Sequence, residues 1–129
     1  MKALVYVFLS VFSVQVYATK LIDEISVNFF TLAANTEKLD QQKISIVGWI
    51  GFIEYKEKKV IRLFQSKSSL DEFRLEESIL INLPESEFET AKGYLNSKLV
   101  TVYGKYTAPK AVGMLGELVD VKDIDIKAF

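Results

Sequence analysis

Residues 43–53, KISIVGWIGFI, constrain this chain more than any other stretch. Ile, Val and Trp favour extended backbone. Strand periodicity puts Ile44, Ile46, Gly48, Ile50 and Phe52 on one face and Val47, Trp49 and Ile53 on the other. Two apolar faces require either burial on both sides or a strand that curls and serves two neighbours. Gly48 and Gly51 permit the curl, because glycine inside a strand marks a bulge or a close approach. A long bent strand of this kind belongs to a small closed or partly closed β structure.

The motif has an echo. Val100-Thr101-Val102-Tyr103-Gly104 repeats the pattern of Ile44-Ser45-Ile46-Val47-Gly48, and an aromatic follows each glycine, Trp49 in one case and Tyr106 in the other. The remaining elements fall between and around these two strands. Apolar residues Leu21, Ile22, Ile25, Phe29, Leu32 and Ala33 recur at spacings of three and four and predict a helix over residues 21–39, although Asn28-Phe29-Phe30 favours extension. The polar stretch 35–42 reads as a turn or a final helical turn. The first strand, 43–53, leads through a charged hairpin at 54–59 to a second strand at 60–64. Residues 65–77 are a polar connection in which Ser68 or Ser69 could cap one helical turn. A third strand spans 78–83, with Ile79, Ile81 and Leu83 facing inward. Pro84 opens a helix over 84–97 that carries Phe88, Ala91 and Leu95 on one side, weakened by Gly93. The fourth strand spans 99–106, a loop with Pro and Gly covers 107–114, and the fifth strand spans 115–126. The prediction is a mainly β domain: a five-stranded Greek-key barrel with one helix before strand one and another between strands three and four.

In that order, and in those glycine-bent strands, the chain resembles small exported bacterial proteins of the OB-fold (oligonucleotide/oligosaccharide-binding) type. Their first strand reads V-x-V-x-G and their closing strand G-x-L-x-D-[IV]. The matching residues are Ile44, Ile46 and Gly48, then Val102 and Gly104, then Gly116, Leu118, Asp120 and Val121. The resemblance covers residues 29–126. It implies binding through the face of strands two and three and the loops between strands one–two and four–five, and it names no ligand.

The leader fixes an expected destination. Met1-Lys2 gives a positive start, residues 3–16 are uncharged, and Val16-Tyr17-Ala18 suits a signal-peptidase site. Residues 1–18 therefore read as a signal peptide cut between Ala18 and Thr19, with 19–129 as one domain. The apolar run is shorter than the roughly 20 residues a spanning helix needs. Thr19 in place of Cys excludes lipoprotein-type acylation, and the lack of Cys suits a bacterial periplasm.

Absences narrow the chemistry. The chain has no Cys and no His. Thiolate or histidine nucleophile systems and the usual zinc sites are excluded within it. Asp120, Asp123 and Asp125 lie on a strand rather than in a cation-binding loop, so no metal is expected, and neither a cofactor nor an enzymatic activity. The full chain carries 16 basic and 17 acidic residues. That balance disfavours nucleic acid, whose binders gain affinity by neutralising phosphates. The expected function is a periplasmic binding module for a small molecule, a glycan or a protein partner. The alternatives are a single-stranded nucleic-acid-binding OB protein and a structural subunit of an envelope assembly.

A binding face would draw on Trp49, Tyr55, Arg62, Phe64, Lys105, Tyr106 and Lys110: aromatics to stack on rings, cations to meet carboxylate or phosphate. Trp49, Phe64 and Tyr106 could equally be core packing, whereas Tyr55 and Lys110 fall in loops. The mixed run 56–59 reads as a solvated hairpin tip.

The export reading has a direct check. Mass spectrometry of the protein from its native host is expected to find Thr19 at the N-terminus, and an intact Met1 would overturn it.

Overall fold

A computed structural model describes residues 24–127 of the chain. The leader, its cleavage pair Ala18 and Thr19, and Leu21 and Ile22 of the first expected helix lie outside those residues.

Among the described residues six strands form one sheet. They are β1 (Ile25–Val27), β2 (Lys43–Tyr55), β3 (Lys58–Phe64), β4 (Ser78–Ile81), β5 (Leu99–Thr107) and β6 (Glu117–Ile126). Four helices accompany them: α1 (Phe29–Ala34), α2 (Thr36–Leu39), α3 (Lys67–Asp71) and α4 (Phe88–Leu95). The structure is mainly β, as the strand patterns predict.

β2 organises the sheet. β5 runs antiparallel to its first half, Lys43 to Trp49. β3 runs antiparallel to its second half, Trp49 to Tyr55. Trp49 pairs with both Phe64 and Leu99, so β3 and β5 hold opposite edges. Where β3 has left its edge, β1 occupies it, parallel to Ile44–Ile46. β3 continues to β4, β4 pairs with β6 in parallel, and β6 returns to β5. Five strands thus close a ring in the order β2-β3-β4-β6-β5.

The ring's interior takes the alternating apolar residues. Ile44, Ile46 and Ile50 of β2, Ile61 and Leu63 of β3, Ile79 and Ile81 of β4, Val100 and Val102 of β5 and Leu118 of β6 are all buried in one cluster. α1 and α2 add Phe29, Leu32 and Leu39. α4 adds Phe88, which meets Phe52 edge-on with ring centroids 5.4 Å apart. Gly48 is a point of close approach. A Cβ there would stand 2.7 Å from both the Leu63 side chain and the Phe64 carbonyl oxygen. The curl therefore rests on close approach of β3 to β2. Gly104, its echo, faces a bulge: Tyr103 pairs with Asp123 and Lys105 with Val119, leaving residues 120–122 opposite one glycine.

The N-terminal reading is corrected. Residues 25–27 are strand, and the helix begins at Phe29, capped by the Asn28 side chain, which accepts from the Thr31 N–H at 2.7 Å. Helical spacing from Ile25 is real in the sequence, but the vacant edge of β2 captures the β-branched Ile25 and Val27, and Asn28 breaks the run. Phe29 and Phe30, expected to favour extension, open α1. The cap of α3 is Ser66, rather than Ser68 or Ser69; its hydroxyl accepts from the Ser69 N–H at 3.0 Å. The helix expected from Pro84 starts at Phe88, after a 3₁₀ turn over Glu85–Glu87. β4 stops at Ile81, and Leu83 only packs against the core from outside the strand. Among the described residues no helix is long and apolar enough to cross a membrane.

Two glycine substitutions separate close packing from helix propensity. Gly48→Ala is expected to lower stability by about 2 kcal/mol through overpacking. Gly93→Ala, with nothing within 4 Å of the added methyl, is expected to raise it by up to about 1 kcal/mol. Urea unfolding midpoints of the two variants check this; shifts in the same direction would count against the close-approach account of Gly48.

Candidate functional site

The outer face of β2, β3 and β4 is the most differentiated surface of the ring. Strand alternation sends Trp49, Gly51, Ile53 and Tyr55 outward on β2, and Lys58, Val60, Arg62 and Phe64 outward on β3. The register sets them side by side: Trp49 against Phe64, Gly51 against Arg62, Ile53 against Val60, Tyr55 against Lys58. β4 adds Ser78 beside Phe64 and Leu80 beside Arg62.

α3 covers one end of this face. Leu70 packs so close that a Cβ on Gly51 would lie 2.6 Å from its Cδ1 and 3.2 Å from Phe64 Cε2. Phe64 is fully buried there, with Leu70, Ser69 and Ser78. Trp49 is half-buried at the margin, with the Lys67 ammonium 5.8 Å from its ring centroid. This explains the two apolar faces of β2. The outer one is buried by a short helix over Gly51 and left open further along, where Val47 is 39% exposed.

Beyond α3 the face opens. Ile53, Val60 and Leu80 are half-buried, and Tyr55 is 69% exposed at the end of β2. Two grooves flank this open part. One, of about 270 Å³, is lined by Gly51, Ile53, Leu70, Phe73, Asn96 and Ser97. The other, of about 470 Å³, includes Lys58, Val60, Leu80, Asn82, Leu83 and Glu117. Phe73 is 60% exposed and has φ of +51°; Ser97, across the first groove, has φ of +63°. A bulky side chain in the left-handed region is an uncommon, strained arrangement, and such residues cluster at binding sites. The Asn96 carboxamide oxygen accepts from the Phe52 N–H at 3.2 Å and ties the groove wall to β2.

Arg62 lies on the ladder between the grooves and is only 8% exposed. Its Nε donates to Ser78 Oγ at 2.7 Å and an Nη to the Ser78 carbonyl at 3.5 Å. Ser78 Oγ in turn donates to the Leu75 carbonyl. Burial pushes the Arg62 pKa below its ordinary value. Arg74, the other arginine, behaves differently. It pairs with Glu72 and Glu77, which raise its pKa.

The structure thus gathers four of the sequence-predicted residues, Trp49, Tyr55, Arg62 and Phe64, on one face. Phe64 is sealed beneath α3 and offers no stacking surface. The other three lie on β5 and the loop after it. Lys105 stands opposite Lys43 on the ring's outside. Lys110 is exposed in the loop. Tyr106 is a core residue, wholly buried, whose hydroxyl donates to the Leu115 carbonyl at 2.5 Å. Its place inside follows from ring geometry, since it shares its ladder position with the buried Leu118. Sequence reasoning missed Phe73, Val60 and Leu80. The one available signal was Phe73, an aromatic in an otherwise polar connection. Asp123 and Asp125 do pair along β5 on one side, while Asp120 sits in the bulge with φ of +48°. Among the described residues no group of three or more acids is placed to hold a metal ion.

No protein-family model matches the chain, and no curated protein matches it closely enough to count as a relative.

Tyr106 gives the fold an alkaline limit. Burial, and secondarily the nearby Asp40 carboxylate, push its pKa up to about 12 from an ordinary value of 10. A raised pKa in the folded state means stability is complete below pH 10 and lost as pH rises from 10 towards 12. Tyr106→Phe is expected to cost about 1 kcal/mol at neutral pH and to remove on the order of 2 kcal/mol of the wild type's decline over that window. Unfolding at pH 7 to 12 measures both; parallel pH profiles for the two proteins would refute the assignment.

Proposed function

We propose that this protein is an exported, non-enzymatic OB-type binding module whose ligand lies across the outer face of β2, β3 and β4. The ligand is a small molecule, a glycan or a protein partner. The ring order supports the fold part of this reading. Its first strand serves two neighbours, its third and last strands pair in parallel, and α4 sits between β4 and β5, as a five-stranded Greek-key barrel requires. The leader supports export, and the missing His and Cys support binding over catalysis.

The observation that carries the site is the incomplete cover of the face. α3 seals Phe64 and Leu70, while Ile53, Val60 and Leu80 remain half-open beside strained Phe73 and exposed Tyr55. A concave apolar strip with few polar groups set into it is the usual form of a ligand site. The margins carry both signs, Lys58 and Lys59 against Glu57, Glu85 and Glu117. A mixed rim suits an uncharged or singly charged ligand better than a polyanion.

The test is an NMR titration against panels of oligosaccharides, small organic acids and single-stranded oligonucleotides. A binder from either of the first two panels is expected to shift the amides of Ile53, Tyr55, Val60 and Leu80. Tyr55→Ala is expected to weaken it by about tenfold, the scale of one lost stacking contact. Shifts confined to β5 and the 108–116 loop, or tight binding of oligonucleotides alone, would overturn the reading.

A further inference from the structure

We infer that Arg62 is an anion anchor: the open face of β2, β3 and β4 binds a singly charged organic oxyanion, a carboxylate or phosphate monoester with an apolar tail, through its guanidinium. The inference rests on the binding-module reading above and adds the chemical class of the ligand.

The argument begins with an imbalance of charge. A buried cation is costly unless an anion is near. Arg62 is as buried as the core side chains around it, yet no carboxylate lies within salt-bridge distance among the described residues. Most of the acids on neighbouring elements are engaged elsewhere, and Asp71, Glu76 and Glu117 form no ion pair with it. Glu72 and Glu77 hold Arg74, Glu54 holds Lys92, and Glu89 holds Lys59. The partner Arg62 does have is neutral. Ser78 takes Nε through its hydroxyl and one Nη through its carbonyl.

The geometry then says which part of the guanidinium is available. Ser78 occupies the Nε edge. No fully buried side-chain nitrogen among the described residues lacks a partner. The remaining Nη, which has no acceptor among the described residues, is therefore the part that reaches the surface. A guanidinium fixed along one edge and open at the other is set for a two-oxygen acceptor, because its fork matches carboxylate and phosphate geometry.

The surroundings select the rest of the ligand. Arg62 is cross-strand from Gly51 of one groove and Leu80 of the other, and Val60 lies two residues along β3. The strand positions beside Arg62 are therefore glycine or apolar, and Phe73 stands in the wall of the first groove. Arg62 lines neither groove itself, so an apolar tail in either one must carry its head onto the strand position between them. Asp71 in the first groove and Glu117 in the second disfavour further negative charge along the ligand. One anionic head on an apolar body satisfies all of these features; a chain of phosphates does not.

The test titrates the processed full-length protein with hexanoate, hexyl phosphate and 1-hexanol, following amide shifts, and repeats this with Arg62→Met and Arg62→Lys. Wild type is expected to bind at least one of the two anions ten times or more tighter than hexanol. The stronger of the two identifies the head group. Arg62→Met, which removes a buried charge and keeps the bulk, is expected to melt no lower than wild type and to bind the anions no better than hexanol. Arg62→Lys keeps the charge without the fork and is expected to recover only part of the difference. Equal affinity for hexanol and the anions in wild type, or unchanged anion affinity in Arg62→Met, overturns the anchor while leaving the face as a binding site. Failure of both anions to bind wild type overturns it too. If Arg62→Met is instead strongly destabilised, the Lys variant decides: anion affinity equal to wild type excludes a role for the fork. Shifts that appear only away from Ile53, Val60 and Leu80 would fail the binding face itself.

Discussion

The approach of β3 to β2 at Gly48 is the contact on which the rest of the ring depends. No side chain fits between Gly48 and the Leu63 side chain and Phe64 carbonyl. Because the strands come that close, β2 can turn away from β5 after Trp49 and continue along β3. Its two halves then belong to different parts of the ring. The edge released by β3 needs a partner, since unpaired strand edges are a liability, and β1 supplies it. Ring closure follows from the same bend. Only a strand paired on opposite edges along successive halves can begin the ring and also receive its fourth member.

The same contact shapes the outer surface. Carrying Phe64 outward at the end of β3 creates an apolar residue that needs cover, and α3 covers it, with Gly51 left bare so that Leu70 can fit. The helix is only Lys67–Asp71, so its shelter ends near Arg62. The remainder of the face is then neither core nor ordinary surface. It holds half-buried Ile53, Val60 and Leu80, a guanidinium without a carboxylate, and an exposed Phe73 at positive φ. Departures from local rules of stability gather where a surface does something besides hold itself together.

The strands were legible because their signals are local. Alternation marks β2, β3 and β5 within a residue or two at most termini, and the glycines mark the bends. The first helix was not legible in the same way. Ile25 fits a helical stripe with Phe29 and Leu32, and only the vacant edge of β2 makes it part of a strand. Asn28 carried the true signal, as a cap, but a cap is recognisable only when the helix start is known. For the site, residue type pointed to Arg62 and Tyr55, while Phe64 and Tyr106 were drawn in by the same aromatic criterion and turned out to be packing. No pattern distinguishes an aromatic that stacks on a ligand from one beneath a helix contributed by a later segment.

By itself, the sequence determined a mainly β chain built around two glycine-bent strands, with no thiol or imidazole to support catalysis. These follow from composition and from periodicity along one strand, which need no knowledge of neighbours. The tertiary structure decided which face of β2 is inside, that β1 fills its free edge, that Tyr106 is core, and that Arg62 is buried without a counter-charge. Each of those depends on what a distant segment covers or leaves open, and burial is a property of the assembled ring rather than of any stretch within it.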